Sequence, residues 1–451
     1  MDKVVLRPED SPFGASVLRK VTIRLVPLLV IGYIVSYIDR INIGFAKFGM
    51  DKAFGMSATQ YGFVAGIFFV GYILAEVPSN IAMTRFGARV WLSRILVTWG
   101  VIAAATAFAP NFTTVCVLRF LLGVAEAGFF PGIIVYLSRW YPNAQRTKVI
   151  STVMVAIPLA SVLGGPLNGW ILDAFDGALG LAGWRWVFVV GGVPAIVLGV
   201  LFFLTLTDSP ARARWLEPSE KAWLTGILAQ EDAERAVAAP SGHRAALKDR
   251  RVIALCLAYF LLLCGAYPLT YWMPSVIKKV GHGLSSFQVG WLSAVPFLLA
   301  AVCMYLTGRA IRDERSSKPV LIALGISVIA FVVTAAELSV PTVAFAAIIV
   351  ATMAAQTAKP LFWAVPTSYL AGVGAASGIA LINSMGNAAG FVSPYAFGWI
   401  QDASHGNTGL SMGVMIFANV GALLVLAGLA VRTRGRRVAP VESEPAPGVG
   451  G

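Results

Sequence analysis

Long apolar runs separated by short polar connections dominate this chain, and their length leaves one environment in which it can fold. A helix needs about 20 apolar residues to cross the ~30 Å hydrocarbon layer of a bilayer. Twelve such runs occur, at roughly 21–46, 61–81, 90–109, 113–138, 149–172, 185–207, 252–276, 288–310, 318–338, 342–369, 374–401 and 409–431. Of 451 residues, 57% are hydrophobic and only 13% charged, against roughly 25% charged in an ordinary soluble domain. A soluble core of this size could not cover that much apolar surface. The expected fold is all-α and membrane-spanning, with twelve transmembrane helices.

The net charge of +13 would suggest nucleic-acid binding in a soluble protein, but its placement points to a bilayer instead. Assigning loops alternately to two sides puts 27 of the 35 Lys and Arg residues on the side of the termini. Lys47, Lys52, Arg185, Lys278 and Lys279 fall on the other side, and Arg40, Arg119 and Lys359 lie inside spans. The excess of basic residues on one side predicts that both termini are cytoplasmic, in a multi-pass inner-membrane protein. The polar first 20 residues and the long uncleavable run after them do not read as a signal peptide. Cys116, Cys256, Cys264 and Cys303 fall in apolar runs without metal-ligand spacing, which reads as four small buried hydrophobes. No cofactor or metal is expected.

Between Asp208 and Arg251 the apolar pattern stops for a stretch rich in Arg, Glu, Ala and Pro, dividing six runs from six. The predicted organisation is an N-terminal segment 1–20, a six-helix half 21–207, a linker 208–251, a second six-helix half 252–431 and a tail 432–451. Within the linker, 218–234 can form a surface helix with Ser219 as its cap. The tail reads as disordered. Two equal halves around a linker suit a parallel-repeat architecture with a binding site at the midplane between the halves.

The charged residues inside the spans carry the chemistry. A charge at bilayer depth costs at least ~2.5–3.5 kcal/mol, so adjacent Asp39 and Arg40 imply use. At 3.6 residues per turn Tyr33, Tyr37, Arg40 and Gly44 share one face, while Asp39 points away with Ser36 and Ile43. Arg40 offers a planar fork suited to a carboxylate, with Tyr33 and Tyr37 as flat walls. A structural Asp39–Arg40 ion network is the plainer alternative. Arg119, Gly123 and Glu126 form one stripe at i, i+4 and i+7. Whether a desolvated Glu126 keeps a proton depends on whether a neighbouring arginine engages it; a permanent Arg119–Glu126 bridge is the plainer alternative. In the second half Asn383 and Asn387 lie one turn apart and should face inward. Tyr72, Tyr267, Tyr271 and Trp363 are assigned to the cavity lining, and Trp272, before Pro274, to an interfacial anchor. Lys359 has two readings: it snorkels toward the cytoplasm, or it receives a second carboxylate. Glu76 near Pro78, with Arg85 and Arg89 in the basic turn, is assigned to a gate.

Several motifs together resemble a known family. The turn NIAMTRFGAR (Asn80–Arg89) is similar to the signature of the major facilitator superfamily, with Asn80 and Thr84 departing from its usual Gly and Asp. RFLLGVAEAGFFPG (Arg119–Gly132) resembles its fourth-helix motif. With YIDRINIGFA, GYILAEVPSN, KPLFWAVPTSYL and INSMGNAAGFVSP, the chain resembles the anion:cation symporters, and among them tartrate and sugar-acid transporters. The resemblance implies that Arg40 and Tyr37 bind substrate, that Tyr72 and Asn387 touch it, and that Asp39 and Glu126 are proton sites with Arg119 as intermittent partner. It implies proton-coupled uptake of a small organic anion, with protons as the coupling ion; a site between the halves of one chain predicts a functional monomer. The run SVLGGPLNG (Ser161–Gly169) is similar to an antiporter motif, which keeps anion exchange or efflux as the alternative. Neither an enzyme nor a channel finds support: there is no phosphate loop, metal spacing or nucleophile-base pair.

Overall fold

The computed structural model describes residues 11–237, 249–310, 317–369 and 373–437. The ends of the expected N-terminal segment and tail, and the middle of the linker, lie outside these residues. The first half comprises α1 (Pro12–Phe54), α2 (Ala58–Phe86), α3 (Ala88–Thr106), α4 (Phe112–Glu126), α5 (Phe129–Ser138), α6 (Asn143–Met154), α7 (Ala156–Ala174) and α8 (Gly183–Thr205). The linker holds α9 (Pro218–Val237). The second half follows with α10 (Arg250–Val280), α11 (Ser286–Ala310), α12 (Lys318–Ala336), α13 (Pro341–Tyr369), α14 (Val373–Ala403), α15 (Thr408–Ser411) and α16 (Gly413–Arg437). Pairs α4/α5, α6/α7 and α15/α16 each make one pass, giving the expected twelve. Among the described residues, 11 of these passes are long and apolar enough to cross a membrane by length and composition alone; the other, α14, spans 31 residues.

Helix α1 starts at Pro12, well before the apolar run, because Ser11 caps it and Pro occupies its first turn. The linker helix starts differently from the sequence expectation. Pro218 opens it and the Glu220 carboxylate reaches back to the Glu217 N–H at 2.8 Å, so Ser219 lies inside the first turn and Glu217 takes the cap position. This helix is fastened to the first half by Lys20–Glu220 at 2.9 Å and by the edge-to-face pair Phe13–Trp223.

The halves meet through α2 against α14 and α7 against α11. Both contacts depend on missing side chains: a Cβ on Gly62 would run into the Pro394 carbonyl, and one on Gly290 into that of Gly165. The Gly-Gly-Pro run of the fifth pass therefore serves close helix approach. The hydrogen bonds joining the halves gather at the face opposite the termini, including Tyr61 to the Tyr271 carbonyl at 2.7 Å. Trp272 lies here too. It is 2% exposed, packs on Tyr61 and Phe397 and donates to the Pro394 carbonyl at 3.3 Å, so it belongs to the closure between halves and not to a bilayer interface.

Candidate functional site

The fourth pass is broken where its chemistry lies. Glu126 is the last residue of α4, and Gly128 then takes φ +84°, a left-handed conformation that favours glycine. Pro131 follows in the first turn of α5, where its missing N–H is tolerated but an unbroken helix would not be. A side chain at Gly128 would also meet Ser79 Oγ at 2.5 Å. The break leaves the Glu126 carboxylate at a helix end facing α1.

There Glu126, wholly buried, accepts two hydrogen bonds on one oxygen, from Arg40 Nε at 2.7 Å and Ser36 Oγ at 2.6 Å, and the same oxygen forms an ion pair with Arg40 Nη2 at 2.6 Å. A buried carboxylate without such partners would be strongly destabilised. The other oxygen, Oε2, has no hydrogen-bond partner among the described residues. The Arg40 side chain keeps 16% of its surface accessible, and its guanidinium lies 5.2, 5.3 and 5.2 Å from the rings of Tyr37, Phe68 and Tyr72. Tyr33 completes the wall, edge-on to Tyr37 and stacked on Phe130.

This conformation does not contain the permanent Arg119–Glu126 bridge of the plainer alternative. Glu126 pairs with Arg40 of another helix and not with Arg119 of its own. Seven helical residues separate Arg119 and Glu126 by about 10 Å along the axis, whereas Arg40 approaches at the helix break. Arg119, 1% exposed, has no hydrogen-bond partner for any guanidinium nitrogen among the described residues; it lies 5.3 Å from the Phe68 ring, which Arg40 also approaches. The Arg119–Glu126 and Asp39–Arg40 bridges are both absent from this conformation. Asp39 instead accepts from Asn42 Nδ2 at 3.3 Å and packs against α8 at Gly191, where a Cβ would stand 3.1 Å from its Oδ1.

Two aromatic residues carry this site toward the second half. Phe68 touches Phe69, and Phe69 meets Tyr267 of α10 at 4.9 Å, with Tyr271 stacked beyond it. Farther along, Tyr259 stacks on Phe362 and meets Trp363 at 5.0 Å, while Gly386 of α14 leaves room for the Tyr259 ring. Asn387 follows Gly386, half-buried. Lys359 lies one turn before Trp363 on α13 and has no hydrogen bond or ion pair among the described residues. The structure thus brings Tyr33, Tyr37, Arg40, Tyr72 and Glu126 together and links Arg119 through Phe68. Among the described residues no hydrogen bond or ion pair joins Lys359 to Arg40.

Among the described residues, the bonds that the gate residues make stay within the first half and the start of the linker. Arg89 Nε donates to the Phe203 carbonyl at 2.6 Å, and its backbone N–H donates to Asp208 Oδ1 at 2.9 Å, which ties the basic turn to the end of α8 within one half. Arg85 is exposed beside Phe86. Glu76, 9% exposed, forms no ion pair within 4.0 Å among the described residues, so its expected pairing with a basic loop residue is not made.

The Major Facilitator Superfamily profile matches residues 29–394, most of both halves. The chain belongs to this superfamily of transporters. A protein of Agrobacterium vitis named "Putative tartrate transporter" is 43% identical over 96% of this chain and 99% of its own length. A "Quinolone resistance transporter" of Acinetobacter baumannii is 39% identical over 86% and 89%. Among solved structures, the D-xylose-proton symporter superposes with a TM-score of 0.71 at 17% identity, covering 90% of this chain and 97% of that one, a likeness of fold.

Proposed function

We propose that this transporter carries a small organic anion, a hydroxy-carboxylate such as tartrate or a sugar acid, together with protons. The observation that carries the reading is the Arg40–Glu126 pair. Arg40, whose side chain is 16% accessible where Arg119 is buried, is occupied by an internal carboxylate, so a substrate carboxylate and ionised Glu126 compete for the same fork of donors. A proton on Glu126 removes the competitor's charge and releases Arg40 to the substrate. Loss of that proton restores the internal pair and expels the substrate. Asp39, sealed against α8 about 100° around the same helix, is the second proton site, and Arg119 is the cation that either carboxylate can engage when the helices shift. Tyr33, Tyr37, Tyr72 and Tyr267 wall the substrate, with Trp363 and Asn387 on the side of the second half. The name of the Agrobacterium relative supports a tartrate-like substrate. The placement of 27 of 35 basic residues supports cytoplasmic termini in the inner membrane. The site is complete within one chain, which supports a functional monomer.

The Acinetobacter relative's name favours a second reading, efflux or anion exchange by the same fold. Labelled tartrate uptake into membrane vesicles separates the two. Symport predicts accumulation that follows an imposed inward proton gradient and ignores a trapped counter-anion. Accumulation that follows only the counter-anion gradient would establish exchange and remove proton coupling.

A further inference from the structure

The face opposite the termini is closed by one device built twice. The end of α7 reads Gly169-Trp-Ile-Leu-Asp173-Ala, and the end of α14 reads Gly398-Trp-Ile-Gln-Asp402-Ala. The helices they meet in the other half also match: α2 opens with Ser57-Ala-Thr-Gln60-Tyr-Gly62 and α11 with Ser285-Ser-Phe-Gln288-Val-Gly290. A helix start leaves four backbone donors without partners, and here each set is divided between the halves. In α2, Gln60 and Ser57 satisfy each other's N–H groups at 3.0 and 3.2 Å. The remaining two, Ala58 and Thr59, donate to Asp402 of the opposite half at 3.0 and 2.7 Å, and the Thr59 hydroxyl adds a third bond at 2.6 Å. In α11, Gln288 and Ser285 do the same for each other at 2.9 and 3.2 Å. Ser286 and Phe287 donate to Asp173 at 3.3 and 2.8 Å. One turn before each aspartate, a glycine lets the backbones touch: a Cβ on Gly398 would meet the Ala58 carbonyl, and one on Gly169 that of Ser286.

We infer that Asp173 and Asp402 are paired latch residues that set how much of the carrier population is closed at this face. Each carboxylate meets the positive end of a helix dipole and completes its capping only while the halves are together. When they part, both the carboxylate and the two donors pass to water. The latch acts on the alternation of the fold itself, independently of which ion is coupled.

The test uses the full chain in lipid nanodiscs with its four cysteines replaced by alanine and a wild-type circular dichroism spectrum. Spin labels at Ala53→Cys and His282→Cys span the latched face; a second pair at Thr84→Cys and Arg250→Cys spans the termini face. Losing a cap of ordinary strength predicts a rise of about five-fold in the population with a lengthened 53–282 distance. Asp402→Ala should exceed Asp173→Ala, because it loses the Thr59 hydroxyl as well, and the double variant should approach the product of the two. In the same population the 84–250 distance should shorten, which a merely structural role would not produce. Asp→Asn, which keeps an acceptor oxygen, should shift both distances in the same direction by less. Unchanged distances in the folded double alanine variant would overturn the inference. If the alanine variants do not fold, unchanged distances in the double asparagine variant would overturn it equally.

Discussion

Replacing Arg40 by lysine keeps the charge and removes the geometry. Arg40 now presents Nε and Nη2 to a single carboxylate oxygen, at 2.7 and 2.6 Å, while its plane lies against three rings. A lysine ammonium can place one donor on that oxygen and cannot lay a flat face on Tyr37, Phe68 and Tyr72. One charge-assisted hydrogen bond is therefore lost from any carboxylate in this position, about 1.5–3 kcal/mol, or roughly 10- to 150-fold in affinity. The same substitution also weakens the competing Glu126 pair. Calorimetry on the purified carrier is best done in the Glu126→Gln background, where that competitor carries no charge. There Arg40→Lys should weaken tartrate binding by the full factor, and transport should be nearly abolished. An unchanged Kd in that background would remove Arg40 from the substrate site.

Two further substitutions separate roles that the structure keeps apart. Lys359→Ala should weaken binding of a dicarboxylate by about 1.5–3 kcal/mol and leave a monocarboxylate analogue unchanged if Lys359 receives the second carboxylate; equal small shifts for both, read by calorimetry, would assign it to snorkelling and move the substrate toward monocarboxylate sugar acids. Asp208→Ala removes the acceptor that holds the Arg89 backbone N–H at the start of α3, so thermal unfolding should show about 1 kcal/mol of destabilisation with no change in substrate Kd; a large change in Kd would place this tie in the binding site.

The apolar run length made the passes and their division legible in the sequence, because the bilayer imposes the same requirement on every one of them. The partners of the buried charges were less accessible. Helical spacing places Arg119 and Glu126 on one stripe, but the carboxylate is claimed by a residue from α1 at the break before Gly128, while the small residue at Gly123 brings in α2, where a Cβ would collide with the Phe68 carbonyl. The Gly-Phe-Phe-Pro sequence carried a signal for that break, hidden inside a continuous apolar run. Ser36 lies only about 40° around the helix from Arg40, so its hydrogen bond to Glu126 was within reach of the same wheel that set it with Asp39. Phe68, shared by two guanidinium groups, had no sequence signal beyond being one aromatic among many. Trp272 illustrates the opposite error: a Trp near a run's end reads as an anchor, and only the packing of the two halves shows it buried.

The most direct test of the competition between Glu126 and substrate is Glu126→Gln in proteoliposomes, measured in two modes with labelled tartrate. A neutral amide mimics the protonated carrier, so substrate-for-substrate exchange should persist while accumulation driven by a proton gradient disappears. Accumulation that survives, or exchange that is lost with it in a correctly folded variant, would contradict the assignment of Glu126 as the proton-controlled partner of Arg40.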